Sequence, residues 1–262
     1  MTTRTKRSPW GAAAVAGVLL LSGCGDDDTT TAGPSPTATQ PTEPVIDPGD
    51  GGDYAPALDP ADFVDGIDNP YLPLIPGTKW VYEGEDDGEA ERVEVEVLDE
   101  RREIEGITAT VVQDTVYVDG ELAEDTFDWY AQDKDGNVWY LGEDTHEYED
   151  GVAVNAAGAW EYGKDGALPG IVMPAHPEVG DAYRQEYYKG EAEDMGKVLE
   201  AGVTQEIELG TYDDVLVTQD WTPLEPEVVE EKSYAPGVGL IGEVKTAGGE
   251  GEIELIEFTP AG

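Results

Sequence analysis

One cysteine, two histidines and 14 basic residues are all that a chain of 262 residues offers in those classes. Each scarcity excludes something. The lone Cys24 makes no internal disulfide and leaves no second thiol for a redox pair. His146 and His176 form neither a His-x-x-x-His nor a His-Glu-x-x-His pair, which removes the usual zinc-protease helix. Serine is scarce in the second half of the chain and no Gly-x-Ser-x-Gly elbow occurs. A phosphate-cradling glycine loop followed by Lys and Ser/Thr is absent, as is a dinucleotide fingerprint. No apolar run is long enough for a membrane-spanning helix. The shortage of positive charge is the largest departure from an ordinary chain: 59 acidic residues give a formal net charge of −45. Such a field repels nucleic acid and anionic membrane surfaces and attracts cations. Two readings of it stay open, a solvation device for a salty or alkaline medium and a dedicated cation site.

What is present begins with a leader. Arg4, Lys6 and Arg7 precede a small, apolar run over residues 12–21, the length of a secretion signal. Leu21-Ser22-Gly23-Cys24 then resembles the lipobox of bacterial lipoproteins. That resemblance implies cleavage before Cys24, a thioether from its thiol to diacylglycerol, and a protein tethered to the extracytoplasmic face of the cell membrane. Residues 24–60 are rich in Asp, Thr, Pro and Gly, hold almost nothing that can be buried, and read as a disordered tether. Residues 61–262 read as a single folded domain, large enough for a sizeable core.

Within that domain the hydrophobic period is two. Val93, Val95 and Val97 alternate with Glu94 and Glu96, which predicts a half-buried strand. Residues 107–118 are dense in Val, Thr and Tyr and end at Asp119-Gly120, a hairpin signal. Residues 127–132 and 137–141 flank Asp133-Lys134-Asp135-Gly136, and Glu149-Asp150-Gly151 marks another turn. Further strands are predicted over 215–218, 228–234 and 252–258. Helix is confined to short stretches near Phe63 or over 191–199. The expectation is an all-β antiparallel meander, curled into an open barrel or half-barrel so that its apolar faces meet.

Several stretches carry a further resemblance. Asp68-Asn69-Pro70-Tyr71-Leu72-Pro73-Leu74, Pro76-Gly77-Thr78-Lys79-Trp80-Val81-Tyr82, Asp128-Trp129-Tyr130-Ala131-Gln132-Asp133 and Met173-Pro174-Ala175-His176-Pro177 are similar to a family of uncharacterised secreted proteins and lipoproteins of actinobacteria and related bacteria. Gly210-Thr211-Tyr212-Asp213-Asp214-Val215 followed by Tyr234-Ala235-Pro236-Gly237-Val238-Gly239 is similar to a pairing in envelope proteins built as open, curved sheets, some related to lipoprotein carriers. The resemblance implies the fold and carries no activity with it.

Candidate sites are weighed against that frame. Paired carboxylates are too numerous to select a glycosidase pair, and no catalytic residues are nameable, so a non-enzymatic protein is expected. Asp133-Lys134-Asp135-Gly136-Asn137 has the flavour of a calcium loop, but its glycine comes fourth and strands flank it, which favours a hairpin turn. The segment from Met173 to Met195 is the richest. Met173, His176, Tyr183, Arg184, Glu186 and Tyr188 are the candidate ligand-binding residues, with Arg184 either in a structural ion pair or facing an anionic group on a ligand. Glu191, Glu193 and Asp194 are the candidate ligands of a hard cation, and calcium is the one cofactor they imply. Trp80, Trp129, Trp139, Trp160 and Trp221 read as core. The leading expectation is a membrane-anchored module that binds an apolar or amphipathic small molecule, such as a lipid, and no nucleic acid. A calcium-binding lipoprotein and a cell-wall interaction protein are the alternatives.

Overall fold

The computed structural model describes residues 54–262; Cys24, the leader and the tether up to residue 53 lie outside the described residues. Apart from a short 3-10 turn at Pro60–Asp62, the regular structure is all strand. The first five strands are long: β1 (Lys79–Asp86), β2 (Glu89–Ile104), β3 (Ile107–Val118), β4 (Glu121–Gln132) and β5 (Val138–Glu149). Five short ones follow: β6 (Val152–Asn155), β7 (Trp160–Glu161), β8 (Leu168–Met173), β9 (Ala182–Arg184) and β10 (Glu186–Tyr187). The chain ends with β11 (Met195–Ile207), β12 (Gly210–Trp221), β13 (Val229–Ala235), β14 (Gly239–Ala247) and β15 (Gly251–Thr259).

The expected meander is observed, because two-residue turns of the required chemistry join neighbours. Asp119-Gly120 and Asp150-Gly151 both take positive φ at both positions, the primed turn whose twist matches that of the strands it joins. Asp87-Gly88 and Glu105-Gly106 do the same. Pairing runs antiparallel in the order β10-β8-β5-β4-β3-β2-β1-β15-β14-β13-β12-β11-β9, with β6 and β7 also on β5. The two ends of this order, β9 and β10, are separated in the chain by Gln185 alone. One continuous segment, residues 182–187, thus pairs with β11 on one side and β8 on the other, and the sheet comes close to closing on itself. Residues 191–199 are not helical: they turn and then enter β11, because the backbone of residues 195–197 pairs with β12 on one side and β9 on the other.

Inside the curl lies the main apolar cluster, with Trp80, Val93, Val97, Val112, Val116, Tyr183, Leu216 and Leu255 among its members. A second cluster lies on the opposite face of β3–β5, where Ile104, Ile107, Val111, Trp129 and Leu141 are covered by Leu58, Phe63 and Tyr162. Residues 109–112 of β3 are buried on both faces, so the run there is continuous, whereas Val93, Val95 and Val97 alternate with Glu94 and Glu96 on β2.

One end of the barrel is plugged by the chain that precedes β1. Gln132 Oε1 accepts from the backbone N–H groups of Asp68 and Asn69, each at 2.9 Å. Asn69 Nδ2 donates to the carbonyls of Gly136 and Pro174. On the far rim, the Gly237 N–H donates to the Pro70 carbonyl and the Tyr71 hydroxyl to the Asp214 carbonyl. Strapped at both rims, this segment lowers Leu72 and Leu74 into the interior.

Candidate functional site

The interior is not filled. A cavity of about 190 Å³ runs from the plug toward the β12–β13 connection, where the half-buried Trp221, Thr222, Glu225 and Val228 line it. Its walls differ in chemistry. Leu72, Leu74, Trp80, Val95, Val112 and Leu240 form an apolar wall at the plug end. Asp114, Asp128, Glu143, Glu186, Asp194, Asp220 and Glu230 bring carboxylates to the same space, and Lys232 is the one basic residue lining it.

Strand geometry explains how the acids arrive. Asp114 lies in step with Val112 and Val116 on β3, so its side chain shares their inward face. On β4, Glu124, Thr126 and Asp128 follow the same alternation. Glu143 needs a bulge. Asp128 pairs with Glu143 and Tyr130 with Tyr140, so Leu141 and Gly142 together oppose the single Trp129. Gly142 sits at φ 133°, and a Cβ there would stand 2.3 Å from the Trp160 carbonyl oxygen. Only glycine makes this step, and it brings Tyr140 and Glu143 to the same side.

The acids fall into two groups. Lys232 Nζ lies 3.1 Å from Asp220 Oδ2 and 3.7 Å from Glu243 Oε2. Asp220 also accepts from Gln185 Nε2 at 2.9 Å and from the Thr218 hydroxyl at 3.0 Å. Burial alone pushes the Lys232 ammonium down, but Asp220 and Glu243 outweigh it and hold the group above its ordinary value. The second group, Asp114, Asp128, Glu143 and Glu186, pairs with no Lys or Arg among the described residues. The Tyr140 hydroxyl stands 2.5 Å from Asp128 Oδ1 and 2.9 Å from Glu143 Oε2. A phenol has one hydrogen, so the second contact requires a protonated carboxyl. Burial, with some relief from Tyr140, raises Asp128 to about 7. Burial and then repulsion from Glu186 and Asp128 carry Glu143 well above the carboxylate range. Asp114 is lifted by burial and by Asp128, Glu186 by burial and by Asp194. Asp194 reaches about 6, raised by burial and held back by Lys232. Three oxygens of residues lining this space are buried and have no hydrogen-bond partner among the described residues: Asp114 Oδ1, Glu186 Oε1 and Asp194 Oδ1.

The residues singled out by sequence are dispersed by the fold. Glu186 and Asp194 line the cavity, and Trp160 Nε1 donates to Glu186 Oε2 at 2.6 Å. Met173 and Tyr183 are fully buried in the main apolar cluster. Arg184 is fully buried with its guanidinium against the faces of Tyr187 and Tyr54, 4.7 and 5.6 Å from the ring centroids. Tyr188 packs on the cluster of Tyr140 and Trp160, and His176 is exposed in a loop. Glu191 is exposed and the Glu193 carboxylate accepts from the Gly190 N–H, so neither converges with Asp194. Among the described residues, no group of three or more His, Cys, Asp or Glu side chains stands at metal-holding spacing. Trp80, Trp129 and Trp160 are core as expected, with Trp80 also lining the cavity; Trp221 is half-buried and lines it as well. Asp114, Asp128, Glu143, Asp220 and Lys232 were not singled out by sequence. Apart from Glu143, which a bulge displaces, their one signal is an acid or base in step with the inward residues of a strand, as Asp114 is with Val112 and Val116.

No family model matches the chain, and no curated protein matches it. Two solved structures match it at low identity. One, from Parabacteroides distasonis and described as a lipoprotein, is 16% identical, with 75% of this chain and 100% of that chain covered and a TM-score of 0.38. The other, from Bacteroides fragilis and described as an exported protein with a YmcC-like fold, is 14% identical, with 72% of this chain and 99% of that chain covered and a TM-score of 0.40.

Proposed function

We propose that this protein is a lipid-anchored, extracytoplasmic binding module, not an enzyme, whose curled sheet holds a small amphipathic molecule. The observation that carries the reading is the cavity itself, about 190 Å³, with apolar side chains and carboxylates both in its lining. A space of about 150 Å³ is enough to bind benzene when its lining is apolar. A ligand of one ring or a short chain, with a polar head, fits this volume and this division of chemistry. The anchor rests on the leader and on Cys24, which ties the domain to the membrane by diacylglycerol.

The test is native mass spectrometry of the mature chain from residue 24, carrying Cys24→Ser, exported by its producing cell and never denatured. A stoichiometric small-molecule adduct is expected, and Val112→Trp, which fills the cavity from β3, abolishes it. A bare protein mass, or an adduct that persists in the filled variant, overturns the reading.

A further inference from the structure

The polar wall has a sign. Of its titratable groups, Lys232 alone is basic, and Asp220 and Glu243 already hold it. Facing it, Asp114, Asp128, Glu143 and Glu186 have no cationic partner among the described residues. Asp114 is 5% exposed and Glu186 3% exposed, so water does not neutralise them either. Each lines the cavity and has one buried oxygen without a hydrogen-bond donor among the described residues. A buried acceptor left in this state is costly. The same site is poor for any anion and unrewarding for a neutral apolar molecule, which satisfies none of these oxygens.

We propose that the occupant is an organic ammonium ion: a compact primary amine whose ammonium sits among Asp114, Asp128, Glu143 and Glu186 and whose alkyl or aryl body lies on Leu72, Leu74, Trp80 and Val112. This deepens the binding-module reading and rests on it. An ammonium presents three donors, and Asp114 and Glu186 each carry a buried oxygen that lacks one among the described residues. The rings of Trp80, Tyr130 and Tyr140 line the same space and add aromatic surface for the body of the amine. A bare metal ion gains nothing from the apolar wall, and no cluster of metal-ligand spacing exists among the described residues. The size limit set by the cavity selects amines of about ten heavy atoms over long-chain lipids.

Three shape-matched probes test the charge separately from the cavity. Titrating the mature chain at pH 8 with 3-phenylpropylamine, 3-phenylpropan-1-ol and 3-phenylpropionate, and following tryptophan fluorescence, reads binding beside Trp80 and Trp221. The amine is expected to bind at least about tenfold tighter than the alcohol, and the carboxylate not to bind. Asp114→Asn and Glu186→Gln, two near-isosteric changes at separate strands, each reduce amine affinity about tenfold and leave the alcohol unchanged. Melting curves of both variants identify any that fails to fold, and the other then decides. An alcohol that binds as tightly as the amine overturns the ammonium assignment and leaves the binding module standing. Stoichiometric calcium binding that displaces the amine also overturns it. If none of the three probes binds the folded protein, both readings fall.

Discussion

The β4–β5 turn and the barrel interior both place aspartates in strand surroundings and treat them in opposite ways. Asp133 is finished by its own neighbours. Its Oδ1 accepts from the N–H groups of Asp135, Gly136 and Asn137, and its Oδ2 from Asn137 Nδ2 and Trp139 Nε1, all between 2.8 and 3.0 Å. The loop that resembled a calcium site in sequence spends its leading carboxylate on the turn itself. Asp114, inside β3, receives no such set, and its Oδ1 is buried without a donor among the described residues. A carboxylate saturated from within holds structure together; one left open inside a cavity is held ready for something from outside, at a cost in stability.

Breaking the saturated one gives the largest effect. Asp133→Ala removes the side-chain acceptor of five donors at the rim that carries Gln132 and the plug, and urea unfolding is expected to show a loss of about 3 kcal/mol. A loss well below 1 kcal/mol would mean that the plug, not the carboxylate, organises this turn.

The unsaturated set predicts an unusual pH dependence. Glu91 and Asp128 have folded values of about 7 and Asp194 of about 6, raised chiefly by burial. Between the ordinary carboxylate range and these values the folded chain binds more protons than the unfolded one, so stability falls as pH rises through that window. The ligand-free protein is expected to lose about 2 kcal/mol between pH 5 and pH 8, with Asp128→Asn flattening the slope. Thermal melts that rise with pH over this range would contradict the burial of these acids.

A smaller effect separates the two aspartates by sign. Asp114→Val replaces the orphaned carboxylate with the side chain of its inward neighbours, Val112 and Val116, and is expected to raise stability by about 1 kcal/mol at pH 8 while removing amine binding. A destabilised variant would show Asp114 to be structural after all. Smallest of all is a carboxylate on the wet face. Glu96 pairs with Lys79 at 2.6 Å, with the two side chains 40% and 53% exposed, and Glu96→Gln is expected to change the unfolding free energy by less than about 0.5 kcal/mol.

Much of the fold was legible before any coordinates. The alternation of Val93, Val95 and Val97, and the dipeptides Asp119-Gly120 and Asp150-Gly151, each mark a strand or turn that the structure contains. The candidate site was legible only in part. The segment from Met173 to Met195 was singled out for its mixture of residues, and it does deliver Glu186 and Asp194 to the cavity. It does so because residues 182–187 bridge the two ends of the sheet, a role invisible in composition. The same segment leaves His176 and Glu191 in solvent. Among 59 acidic residues, Asp114 and Asp220 were detectable only by their step with apolar neighbours. Glu143 was not detectable even so, since a bulge at Gly142 shifts it out of simple alternation.

Local chemistry by itself determined the strands, their turns, the sign of the surface field and the leader that precedes them. A period of two and a positive-φ turn are properties of neighbouring residues, and they need no long-range information. Tertiary structure alone decided which carboxylates face one another and which stay without a partner. A strand's alternation names two faces but not which one is enclosed, nor which strand lies across the cavity. That depends on the register of strands far apart in the chain and on the closing segment between β8 and β11, where side chains from distant strands meet around one cavity.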